Sequence, residues 1–224
     1  MKSIIGFGEK VEGYDVSVLN EREIRASAGI LFLFALISFF IIVVSKNFAP
    51  IKYFILIFVL DFIIRVFVNP RYAPTLIIGR LIVIKQMPEY TGAPQKKFAW
   101  IIGLLLGTIM LVLMPIMNTY SAISGIICLI CLIFLFFESA FGICLGCIFY
   151  NWMHKNKAKH CPGNSCEIKQ KHEIQKITGV HLLILAGLIL YITVSVILLK
   201  DNFREMPQNL WVKIGLKKEE AKHF

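Results

Sequence analysis

Five stretches of this chain, residues 28–44, 51–68, 98–117, 123–150 and 177–199, are apolar over lengths that can cross a hydrocarbon layer. A spanning helix takes about 20 apolar residues, and lipid leaves the backbone no partner outside its own helix or barrel. The pattern therefore predicts an all-α fold, a polytopic transmembrane helix bundle with about five spans plus short interfacial helices. Composition agrees: 57% of the 224 residues are hydrophobic and 17% charged, against about half and a quarter in soluble domains.

The runs divide the chain into an N-terminal cytoplasmic and interfacial segment (1–27), a four-helix membrane core (28–150), a Cys/His/Lys-rich loop (151–176), a fifth transmembrane helix (177–199) and a basic tail (200–224). The first segment mixes Glu9, Lys10, Glu12, Asp15, Glu21, Arg22, Glu23 and Arg25, unlike a secretory signal peptide, so the first helix is expected to stay as an anchor. Residues 20–28 read as a short interfacial helix with Arg22 and Arg25 on one face. Residues 75–85 are apolar but too short to span, as an interfacial or re-entrant segment would be. The second run is short and carries Asp61 and Arg65, so a broken or tilted helix is an alternative there. Lys and Arg gather in the N-terminus and in the loops 69–97 and 151–176, which the positive-inside rule places in the cytoplasm. The basic tail argues the other way. The net charge of +10 thus reads as orientation and attraction to anionic lipid, with no nucleic-acid partner.

The fourth run carries Cys128, Cys131, Glu138, Cys144 and Cys147. Continued as one helix it is roughly 40 Å long at 1.5 Å per residue, more than a bilayer needs. At about 100° per residue, Cys131 and Glu138 share a face, while Cys144 and Cys147 point roughly 120–180° away. A carboxylate in such a helix is a functional candidate. One helical turn separates Asp61 from Arg65, and the run directions allow Asp61, Arg65 and Glu138 to meet as a buried charge network. Cys144-Leu-Gly-Cys147 has the spacing of redox and metal-binding pairs. A continuous helix puts it near a C-terminus, whose dipole disfavours a thiolate. Gly103 with Gly107 and Gly142 with Gly146 predict close packing of the third and fourth runs, and Gly146 is the expected point of any break.

The loop adds His154, His160, Cys161, Cys166 and His172. Cys161 and Cys166 are candidate reactive thiols alongside Cys144 and Cys147. With His160 and His172 they are also candidate ligands for zinc or another thiophilic metal, although the spacing matches no standard zinc module.

The landmarks Val18-Leu-Asn-Glu-Arg22, Arg25, Ala28-Gly29, Asp61 to Arg65, Asn69-Pro-Arg-Tyr72, Pro74, Gly79-Arg80, Phe137-Glu138 and Gly142-Ile-Cys144-Leu-Gly-Cys147 follow one another over about residues 15–155. With them the chain resembles a bacterial integral-membrane family of unknown function built on a four-helix core. The Cys-Pro-Gly-x-x-Cys loop and the fifth span look like an extension of that core. The resemblance implies the bacterial cytoplasmic (inner) membrane and thioredoxin-like or sulfurtransferase partners; an oligomer stays open.

No phosphate loop, dinucleotide fingerprint or serine-nucleophile elbow is present. The expected function is thiol redox or sulfur handling through Cys144 and Cys147. The alternatives are a small carrier or channel using Asp61, Arg65 and Glu138, and a non-catalytic membrane scaffold.

Overall fold

Asn20 starts the first helix: its side chain accepts the Arg22 amide, and α1 then runs Glu21–Ser45 without interruption. The short helix expected over 20–28 is therefore the opening turns of the first span. The computed structural model describes residues 7–9, 11, 17–153 and 178–215. After α1 come α2 (Ala49–Ile63), α3 (Pro74–Ile82), α4 (Ala93–Leu111), α5 (Ala122–Phe136), α6 (Leu145–Met153), α7 (Gly179–Arg204) and the short α8 (Leu210–Lys213). Among the described residues, four helices are long and apolar enough to cross a membrane: Glu21–Ser45, Ala93–Ile116, Ala122–Phe141 and Gly179–Arg204. The chain is a helical membrane bundle. The second helix packs among them and carries Lys52, Asp61 and Arg65, all buried.

Three of the helices loosen into a π turn at their C-terminal ends, over Ile64–Val68, Val112–Ile116 and Phe137–Phe141. Pro115 lies in the second of these and has no amide hydrogen to keep the α pattern. The third ends at Gly142, whose φ of 66° is left-handed, while the Ile143 amide returns 3.0 Å to the Phe137 carbonyl. That is a glycine C-cap, and it stops the helix. The single long helix expected over 123–150 is thus corrected. The chain breaks at Gly142, ahead of the expected Gly146, and restarts as α6 after Cys144.

Between lipid-exposed helices there is little hydrophobic gain, so close approach and polar bonds must hold the bundle. Gly79 lets α3 lie on α1: a Cβ there would meet the Glu23 carbonyl at 2.6 Å. Gly103 and Gly107 face Phe62 and Phe58 of α2, whose stacked rings are 4.2 Å apart, and not the fourth run. Gly146 does meet the third span, since its added Cβ would come 2.6 Å from that of Ala99.

Short strands close each end. Val18–Asn20 (β1) pairs antiparallel with Tyr90–Gly92 (β2), and Thr119–Tyr120 (β3) pairs parallel with Gln208–Asn209 (β4). The helix α7 buries only His181 and Phe203, one near each terminus, so it is tied to the core at its ends. At the β3–β4 end, fully buried Lys52 donates to Asn118 Oδ1 (2.7 Å) and to the carbonyls of Phe203 (3.4 Å) and Glu205 (3.2 Å). It thereby satisfies carbonyls left open where α7 stops. Lys213 Nζ reaches the Met117 carbonyl beside it.

Candidate functional site

The opposite end, where α1 and α4 begin and α2 and α5 finish, gathers the buried charges into three neighbouring groups. In the first, Arg65 Nε donates to Asp61 Oδ2 at 2.6 Å, with both side chains 2% exposed or less. Arg65 Nη2 also donates to Ser27 Oγ (2.6 Å) and Thr75 Oγ1 (2.5 Å). Thr75 returns its amide to Asp61 Oδ1 (2.9 Å) and its hydroxyl to Asp61 Oδ2 (2.7 Å). The guanidinium carbon lies 4.8 Å from the Phe62 ring centroid and 5.1 Å from that of Trp100. Both Asp61 oxygens and two of the Arg65 nitrogens are thus engaged, and a buried pair bonded this fully rigidifies a core. This group locks α1, α2, α3 and α4 together.

In the second group, Arg80 Nη2 donates to Glu23 Oε2 (3.1 Å), and Asn20 Nδ2 donates to Glu23 Oε1 (3.0 Å). Arg80 Nη1 also lies 3.4 Å from His181 Nε2, which fastens the first turn of α7 to α3.

The third group is the chemically open one. Lys96, buried at the start of α4, donates to Glu138 Oε1 at 2.5 Å and to Glu21 Oε1 at 2.9 Å. One ammonium thus serves two carboxylates from α1 and the end of the α5 span. Arg25 lies close by, with its guanidinium against Gly142 and 3.4 Å from the Ala140 carbonyl. Lys96 is within electrostatic reach of Cys144 and Cys147.

The break at Gly142 changes the setting of those cysteines. Cys144 stands just before the first residue of α6 and acts as its cap: its carbonyl accepts the Ile148 amide at 3.1 Å, and its Sγ accepts the Cys147 amide at 3.3 Å. Both thiols therefore occupy the opening turn of a helix, where the dipole favours an anion, and not a C-terminal end. Neither is disulfide-bonded; Cys144 is buried and Cys147 half-buried. The hydrogen bond to Cys147, burial and the nearby Glu138 carboxylate hold the Cys144 thiol above the ordinary thiol range, with Lys96 pulling weakly the other way. Cys144 is thus held as the thiol, and Cys147 is the more exposed sulfur of the two. On α6, Gly146 faces Ala99 of α4, while Ile148, Phe149 and Trp152 are exposed, as residues at a membrane–water boundary are.

A cavity of about 60 Å³ joins the first and third groups. Its wall includes Arg65, Trp100, Gly103, Cys131, Glu138 and Cys144. The expected meeting of Asp61, Arg65 and Glu138 takes a different form: Asp61 and Arg65 pair, whereas Glu138 pairs with Lys96 and faces Arg65 only across this cavity. The helical-wheel separation of Glu138 from Cys144 is overturned, because both now line one cavity. Cys128 and Cys131 are half-buried on α5, with Cys131 at the cavity.

Cys161, Cys166, His160 and His172 lie outside the described residues. Among the described residues no three His, Cys, Asp or Glu side chains converge as a metal site would require.

Sequence reasoning takes Lys96 for one of several cytoplasmic loop charges and misses Glu21, Glu23, Arg80 and His181 as site residues. A signal for Lys96 exists. With Pro94 in the first turn of α4, Lys96, Trp100, Gly103 and Gly107 recur at helical spacing on one face, the face that turns inward.

A family model described as a domain of unknown function (DUF4395) matches residues 19–155, the stretch holding all three charge groups except His181. No curated protein and no solved structure matches the chain.

Proposed function

Since the chain belongs to the DUF4395 family, a domain of unknown function, its role has to come from its own residues, and we propose that it is a membrane thiol-exchange protein working through Cys144 and Cys147. The observation that carries this reading is the restart of the helix at Cys144. It seats both thiols in the first turn of α6, beside the Lys96 ammonium, at an apolar boundary helix. Helix N-termini and neighbouring cations are the settings in which protein thiols become reactive.

In the exchange, the Cys147 thiolate attacks a disulfide of a partner protein, forming a mixed disulfide and expelling one partner sulfur as thiolate. Cys144 then attacks the Cys147 sulfur. The intramolecular Cys144–Cys147 bond forms, the mixed disulfide breaks, and the second partner sulfur leaves with the electron pair. The chain is oxidised by two electrons and the partner disulfide is reduced to two thiols. Run in reverse, the same steps reduce the pair.

The site faces the cytoplasm, as the Lys and Arg distribution of the sequence supports, and the membrane is the bacterial inner membrane that the resemblance implies. A thioredoxin-like or sulfurtransferase protein is the partner that fits. Oxidised and reduced membranes, labelled with a maleimide, should differ by two reactive thiols, and Cys144→Ser or Cys147→Ser should abolish that difference. Equal labelling in both states would overturn the reading.

A further inference from the structure

The thiol-exchange reading leaves a proton to be placed, because Cys144 must lose one as its sulfur closes on Cys147. We propose that Glu138 accepts that proton, through water held in the cavity it shares with Cys144. The inference rests on the thiol-exchange reading and adds to it the group that drives the closing step.

Several observations converge on Glu138. It lines the same cavity as Cys144, and only its Oε1 is hydrogen-bonded among the described residues, to Lys96. The cavity volume of about 60 Å³ exceeds the roughly 10–15 Å³ that one water needs, and Arg65, Glu138 and Cys144 supply polar partners. Asp61, the carboxylate paired with Arg65, is not part of the cavity lining, and both its oxygens are committed to Arg65 and Thr75.

The surrounding charges explain why two carboxylates share one lysine. Around Glu138 stand Glu21 from α1, Lys96 from α4 and Cys144 before α6, with Arg65 and Cys131 lining the same cavity; Arg25 lies near Glu21, and Cys147 near Lys96. When Glu138 is protonated, Lys96 keeps Glu21 at 2.8 Å as its counter-ion. The buried ammonium thus has a second carboxylate beside it. Glu138 is the one of the two that lines the cavity with Cys144, so it is the carboxylate placed to accept the proton.

In the step, the Cys144 S–H bond breaks as its sulfur bonds to Cys147 Sγ. The proton passes by way of water to a Glu138 carboxylate oxygen, and the partner's sulfur departs from Cys147 with the electron pair. No oxidant beyond the partner disulfide is required.

The test uses the full chain in lipid nanodiscs and an aromatic disulfide reagent whose released thiolate absorbs light. Peptide mass mapping follows the Cys147 adduct and the Cys144–Cys147 bond. Wild type should show a first release from attack by Cys147 and a second from ring closure, the second rising with pH through one titration. Glu138→Gln should keep the first release, slow the second by at least about 100-fold, as loss of a general base does, and replace its pH step with a steady rise in proportion to hydroxide. Glu138→Asp should recover part of the rate and the pH step. A Glu138→Gln protein with wild-type closure and an unchanged profile would overturn the inference alone. If wild type forms the adduct but no Cys144–Cys147 bond, the thiol-exchange reading falls and takes the inference with it.

Discussion

Replacing Gly142 by alanine attacks the feature on which the site depends. Its φ of 66° lies in the left-handed region, which costs a residue bearing a Cβ about 1–2 kcal/mol. The new Cβ would stand 3.3 Å from the Arg25 side chain, which is flexible enough to yield, so the backbone conformation accounts for most of the cost. For a chain of this size that penalty corresponds to a fall in Tm of about 2–8 °C. Alanine also relieves itself by letting α5 continue past residue 142, and that turns Cys144 away from Lys96 and Glu138. Thermal unfolding in nanodiscs reads the first effect, and the rate of Cys144 alkylation reads the second, which should rise as the thiol leaves its buried cap position. Gly142→Asn is the control, because asparagine tolerates the left-handed region and should lie between the two. A Gly142→Ala protein as stable as wild type, with Cys144 equally protected, would show that the glycine stop does not build the site.

Lys96→Met should destabilise by about 3–5 kcal/mol, because it leaves Glu21 and Glu138 buried together without their ammonium; thermal unfolding measures it, and combining it with Glu138→Gln should recover part of the loss. Since the Cys147 contact, burial and Glu138 raise the Cys144 thiol, it stays protonated at neutral pH. A small alkylating agent should therefore modify Cys147 first, with Cys144 reacting appreciably only as pH rises beyond the usual thiol range, as mass mapping of a pH series will show. Lys52→Met should cost about 1–3 kcal/mol by orphaning the carbonyls of Phe203 and Glu205. It should expose the C-terminal end of α7 to protease in nanodiscs, and an unchanged digestion pattern would count against the clamp.

The apolar runs make the helical membrane class legible, because a span's length is a property of composition. The site is only half legible. Cys144 and Cys147 stand out by spacing, and Asp61 with Arg65 by their place in a membrane-length run. What the sequence hides is the direction of the chain between them. Gly142 sits inside an unbroken apolar run, so periodicity carries α5 straight on to Tyr150, and the wheel then puts Cys144 opposite Glu138. The stop is a capping effect, set by one left-handed residue and the π turn before it, and such local geometry leaves hydropathy unchanged. Lys96 is hidden for a related reason. It stands next to Lys97 at a membrane edge, where lysines ordinarily mark orientation, and only its spacing to Trp100, Gly103 and Gly107 sets it apart. Arg65 and Glu138 do approach one cavity, but each reaches it with a partner of its own, and pairing across helices is not written in sequence spacing.

Whether Cys144 and Cys147 form a working redox pair is decided by a redox titration, with the full chain in nanodiscs equilibrated against dithiol–disulfide buffers and the peptides mapped by mass. Thiol exchange at this site requires one two-electron transition between the free thiols and an intramolecular Cys144–Cys147 bond, absent in both Cys144→Ser and Cys147→Ser. Two thiols that stay reduced across the whole range, or that oxidise only to other cysteines, would contradict it.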